Sequence, residues 1–232
     1  MKKIVLLVIL ITGASSFGQS KSEMQAHYEA FYKEMRLQGD INGVINALTH
    51  LNVIAPSQER RDTLSYAYMN NGQHLQALNT VGIENNPNSS DIAVQVKAVS
   101  LKTLNQPKRA IEQFEILFQR NPNAYLAYEL ADLKILTGDT AGAATNIEYG
   151  LANAKDDMKH AFYERQQPYE ASLKAAFQHL KGLLVFNNDK TKIDEAIGLM
   201  DEALKIDPNF NLASLSKQAL VSKKNDPEAA KN

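Results

Sequence analysis

The 232-residue sequence contains no cysteine. That removes disulfides, thiolate metal ligands, a cysteine nucleophile and lipid attachment at an N-terminal cysteine. It also has no basic surplus: 25 lysines and arginines stand against 26 aspartates and glutamates, a formal net charge of -1. A protein that grips nucleic acid needs cationic groups to neutralise phosphates, so nucleic acid is not an expected partner. No run of five or six like charges marks a charged interaction tail. The apolar run at residues 4–11 is roughly half of the ~20 residues that cross a bilayer, so no membrane span is expected in the mature chain.

Signs of chemistry are equally scarce. The five histidines, His27, His50, His74, His160 and His179, include no pair at the i, i+4 spacing that sets two imidazoles on one helix face. Each is expected as a lone surface histidine. There is no H-E-x-x-H, no G-x-S-x-G elbow and no glycine-rich phosphate loop. Asp156–Asp157 and the stretch "NNDKTKID" are acidic, but Lys190 and Lys192 stand where a calcium loop needs oxygen ligands. The expectation is a non-enzyme with no cofactor and no metal.

What the sequence does contain begins at its N-terminus. "MKKIVLLVILITGASSFGQS" places two lysines before the apolar run, then small and polar residues, with Ser16 and Gly18 at the -3 and -1 positions of a cut before Gln19. This is the layout of a secretory signal peptide over 1–18. It predicts export to the periplasm or cell surface of a bacterium.

Beyond it the chain repeats. A small or β-branched residue recurs at Val44, Ala77, Ala110 and Ala143, a step of 33 residues. Five residues upstream of each lies Gly39, Gly72, Asn105 or Gly138, and four residues downstream lies Leu48, Val81, Phe114 or Ile147. Three columns in step describe a helical hairpin. Its first helix ends at a residue able to take positive φ, and its second starts on a cap such as Asp40 or Asp139. The small column lets two helix backbones approach, and Pro56, Pro122 and Pro208 end the second helices.

On these columns the chain resembles the tetratricopeptide-repeat family, whose unit is a helix–turn–helix of about 34 residues. Leu64, Ser65 and Tyr68 match the family's first-helix pattern, as do Leu130 and Ala131, while Lys97 and Lys134 depart from it. The resemblance implies an all-α fold, a right-handed superhelical stack of antiparallel helix hairpins. Residues 19–224 would form one repeat domain with units near 24–56, 58–88, 91–123, 124–155 and 170–208, and a terminal helix at 211–223. An irregular insertion is expected near 155–169 and a disordered tail at 225–232. The insertion reads as a short element near 156–165, a break around Pro168 and a long helix near 170–186.

The resemblance also implies a function. First helices of this family line a concave face that holds a protein or peptide. Carried across by position, that face takes Glu29 and Lys33, then Glu59, Asp62, Tyr66 and Met69, then Gln95, Val99 and Lys102, then Tyr125, Tyr128 and Asp132. Tyrosine supplies apolar area with a polar tip, and methionine adapts to irregular partners. Asp62, Val99 and Asp132 occupy positions where a carboxylate clamp needs cationic or amide groups, so a basic or neutral partner is expected instead. In the insertion, Phe162, Tyr163, Tyr169 and Phe177 either fill an irregular junction or, through Tyr163 and Tyr169, touch the partner. The sequence therefore predicts a protein-binding scaffold of the cell envelope, or else an accessory subunit of an envelope assembly that uses its convex face or the 155–170 insertion.

Overall fold

A computed structural model of the chain describes residues 20–86 and 88–225. The expected signal peptide at 1–18 lies outside the described residues, and so does the expected tail, apart from Asn225. Contacts gather the chain into two compact units, up to Gly82 and from Ile83 onward. The repeat columns of the sequence run through both, over 19–224. The first unit holds α1 (Lys21–Gln38), α2 (Ile41–Ile54), α3 (Gln58–Asn70) and α4 (His74–Val81). The second holds α5 (Asp91–Thr103), α6 (Pro107–Arg120), α7 (Ala124–Thr137) and α8 (Thr140–Asn153). It continues with strands β1 (Lys159–Phe162) and β2 (Tyr169–Ser172), then α9 (Leu173–Asn188), a 3-10 turn at Lys190–Lys192, α10 (Ile193–Ile206) and α11 (Asn211–Asn225).

The hairpin turns form for the reason their sequence suggests. Gly39, Gly72, Asn105 and Gly138 all sit at positive φ, between 55° and 80°. Three are glycines, which adopt that region without a Cβ clash. Asn105, at 55°, is the one non-glycine there among the described residues, and asparagine tolerates the region better than most side chains. The next helix then starts on a cap. The Gly43 amide donates to Asp40 Oδ1 at 3.0 Å and the Gly142 amide to Asp139 Oδ1 at 2.9 Å. First helices are capped in turn by Ser57, Ser90 and Asn123.

Packing follows the small columns. Ala77, Ala98, Ala110, Ala131, Ala143 and Ala196 are fully buried. An alanine there lets helix axes close to short range, so the large residues one turn away, such as Leu48, Phe114 and Ile147, interdigitate.

The insertion is different. Where a short element and a break were expected, the chain folds a two-stranded antiparallel hairpin, Lys159 opposite Ser172 and Phe162 opposite Tyr169. The fold thus remains a stack of helices, with this small sheet added. A two-stranded hairpin alone is marginal in water, and here packing anchors it. Leu173 donates its amide to Met158 O at 2.9 Å, and the Ser172 amide donates to Asp207 Oδ2 at 2.8 Å. Phe162 turns inward onto Phe210, with ring centroids 4.8 Å apart, and stacks on Tyr169 at 5.6 Å. Phe177, fully buried, lies against the backbone of α8 at Gly150, where any Cβ would collide with its ring.

Candidate partner-binding groove

In the first unit, α1 and α3 border an open hollow of about 550 Å³ lined by Tyr32, Met35, Glu59, Thr63, Tyr66 and Asn70 among others. A neighbouring hollow of about 470 Å³ takes Glu29, Lys33 and Arg60, with Arg60 Nη2 donating to Glu29 Oε1 at 3.1 Å. Tyr66, 39 % exposed, faces solvent as expected. Asp62 and Met69 do not. They are only 4 % and 8 % exposed, and Asp62 accepts from Gln58 Nε2 at 2.7 Å. The accessible stripe of α3 is 59, 63, 66, 70 rather than 59, 62, 66, 69. At ~100° per residue a three-step and a four-step land on opposite sides of the stripe, and one wrong choice turns a lining residue into a core residue.

The second unit carries the larger groove, about 650 Å³. From α5 come Gln95, Val99 and Lys102, the three residues the sequence columns place there, and from α7 come Tyr125 and Glu129. Tyr163 reaches the same groove from just beyond β1. Tyr125 and Tyr163 are 43 % and 74 % exposed, so two large rings from separate elements stand in water over one depression. Beside the groove, and sharing Lys102, Glu129 and Tyr163 with it, is a smaller hollow of about 430 Å³. Tyr128, Asp132 and His160 also line it.

Tyr128 differs from the sequence expectation in the same way as Asp62. It is 4 % exposed, with its ring tilted against His160 at 4.3 Å and edge-on to Phe177 at 5.6 Å. Its ring is a core element, and only an edge borders the hollow. Tyr169 stacks on Phe162, donates to Glu164 Oε1 at 2.6 Å and accepts from the Leu212 amide at 3.1 Å. Those contacts tie the hairpin to α11. Of the two insertion tyrosines, Tyr163 lines the groove and Tyr169 does not.

Glu129 and His160 went unmarked in the sequence. Glu129 lies one residue beyond Tyr128 on the accessible stripe of α7, and only the packing direction of that helix distinguishes the two. It pairs with Lys102 and stands 3.5 Å from His160 Nε2. Burial acts to raise the Glu129 carboxyl, but the hydrogen bond from His160 and the charge of Lys102 outweigh it and hold the group below the usual carboxylate range. For Asp132 burial wins and pushes the carboxyl up, only partly opposed by Lys102. The Tyr128 phenol is raised well above its ordinary value, first by burial and then by the charges of Asp132 and Glu129. His179 is not the surface residue expected. It is 2 % exposed and lies 2.9 Å from Ser216 Oγ, and burial lowers its pKa to about 4.

Among the described residues, no group of three or more histidines, aspartates and glutamates is placed to hold a metal ion. Likewise, no described helix is long and apolar enough to cross a membrane. No protein-family model and no curated protein matches the chain. Solved structures do. The crystal structure of MamA protein aligns at 17% identity with a TM-score of 0.60, covering 81% of this chain and 93% of that one. A chain of the Cut9–Hcn1 hetero-tetramer of the APC/C aligns at 17% identity and a TM-score of 0.53, over 83% of this chain and 35% of that one. A tetratricopeptide repeat protein from Parabacteroides merdae aligns at 16% identity and 0.45, over 95% and 79%. At such identities the likeness speaks for the fold. Helix hairpins in a 33-residue register, together with the MamA likeness, define an all-α solenoid with a tetratricopeptide-repeat-like fold.

Proposed function

We propose that this chain is an exported, non-catalytic scaffold of the cell envelope that holds a protein or peptide in the groove of its second unit. The observation that carries this reading is the pair Tyr125 and Tyr163, exposed rings from a repeat helix and from the hairpin insertion that line one groove. Exposed aromatics at the rim of a depression lose little conformational entropy when covered, which suits them to recognition. Because Tyr163 belongs to the insertion, the groove and the insertion form one surface, and the two sequence readings of the interface converge on it. The export half of the proposal rests on the signal-peptide layout of residues 1–18.

The test is a pull-down from an envelope extract of the source organism, with the native protein and a Tyr125→Ala/Tyr163→Ala variant in parallel. Both substitutions are at exposed positions, so the variant's melting temperature should stay close to that of the native protein. A partner captured by the native protein and lost by the variant is the expected result. A partner retained by the variant places the interface elsewhere, and recovery of the chain only from the cytoplasmic fraction overturns the export half.

A further inference from the structure

The smaller hollow beside the groove holds two polar groups without a hydrogen bond among the described residues. Glu129 is committed on both sides, to Lys102 and to His160. Asp132, one helical turn further along α7, makes no hydrogen bond or ion pair among the described residues, although it is partly buried. The Tyr128 hydroxyl is also without a hydrogen bond among the described residues, on a side chain only 4 % exposed. Tyr128 lines the hollow together with Asp132 and Glu129, whose charges act on its hydroxyl. A partner that enters the hollow can bond to both, because neither group has a hydrogen bond inside the described protein to give up.

The chemistry of that partner follows from the walls. Two carboxylates face one lysine, so an anion would be repelled, and an apolar side chain would bury Asp132 still unpaired. A cation satisfies Asp132. The exposed ring of Tyr163 adds a face that attracts a cation. A bare metal ion is not favoured, since the ligating groups do not converge. The hollow shares Lys102, Glu129 and Tyr163 with the groove, so a peptide lying in the groove can send one long side chain into it.

We infer that this hollow is a specificity subsite for a lysine or arginine side chain of the bound peptide, its cation received by Asp132 and the Tyr128 hydroxyl. The inference rests on the groove reading above and deepens it.

The experiment is a selection of a random displayed peptide library on the full purified chain, followed by titration of one selected peptide. Selected peptides should share a lysine or arginine at one aligned position. Replacing that residue by norleucine should weaken binding to the native chain by ~10-fold or more, the scale expected when one partner of a buried charge pair is lost. The same replacement should have little effect against Asp132→Asn, because the two changes remove one interaction. Tyr128→Phe, which keeps the core ring, should weaken the lysine peptide several-fold and the norleucine peptide hardly at all. Asp132→Asn should melt no lower than the native chain, since it removes a buried unpaired charge. Selected peptides without a shared cation, or equal losses on the native and Asp132→Asn chains, overturn the inference while leaving the groove standing. No peptide selected at all overturns both. Displacement of the peptide by n-butylamine or acetylarginine amide at concentrations near the peptide's own Kd assigns the subsite to a free small cation, and the peptide side chain is then rejected.

Discussion

The second unit is held together in two unlike ways. Along α5 to α8, alanines at the repeat columns, Ala98, Ala110, Ala131 and Ala143, are fully buried, and side chains of that size let neighbouring helices approach closely. Around the β-hairpin they meet through rings: Tyr128, His160, Phe162, Tyr169, Phe177 and Phe210 form a chain of aromatic contacts between 4.3 and 6.3 Å. Small side chains mark the repeats, whereas the junction depends on volume already in place. An insertion that interrupts a regular stack leaves a gap of irregular shape, and large planar groups fill it.

This contrast is open to direct attack. Phe177→Ala should cost the most, about 3–5 kcal/mol, because it empties the centre of the junction and no neighbouring alanine can refill it; chemical denaturation measures it. His179 adds a pH signature to the same region. Its pKa falls from 6.5 to about 4 on folding because burial disfavours the charged ring. A depressed pKa gives stability that is fully present above about 6.5 and drains as pH falls toward 4, by about 3 kcal/mol in all. His179→Gln should flatten that part of the stability–pH curve, and an unchanged slope would show that other groups produce it.

The opposite change probes the repeats. Ala143→Leu adds volume where helices touch and should destabilise by about 1–3 kcal/mol, whereas a core with slack would accept it without loss. Smallest is Asn105→Ala, about 1 kcal/mol, since alanine in the left-handed region lacks the local hydrogen bonding that eases asparagine into it. The companion Asn105→Gly should be neutral or slightly stabilising in the same melts.

How much of this was legible in the sequence divides along the same line. The turns at 39, 72, 105 and 138, the caps at Asp40 and Asp139 and the alanine column are local features with a fixed period, and each appears where its residues put it. The β-hairpin was not legible. "KHAF" and "YEAS" are short segments, and their pairing depends on surfaces of α7, α9 and α11 that no local pattern reveals. Gln95, Val99, Lys102 and Tyr125 line the groove of the second unit, while Asp62, Met69 and Tyr128 are buried, one step from the accessible side of their helices. A helical stripe read without its packing direction carries that one-residue ambiguity. The same ambiguity hid Glu129, and His160 lay on the strand that had not been foreseen.

The central claim is that partners meet the second unit at Tyr125 and Tyr163. The most direct measurement is site-specific photo-crosslinking in cells of the source organism, with benzoylphenylalanine placed singly at Tyr125, at Tyr163 and, as control, at Leu136. Leu136 is 68 % exposed but does not line the groove. The account predicts one shared adduct at 125 and 163 and none at 136. An adduct at 136 with none at the two tyrosine positions would contradict it.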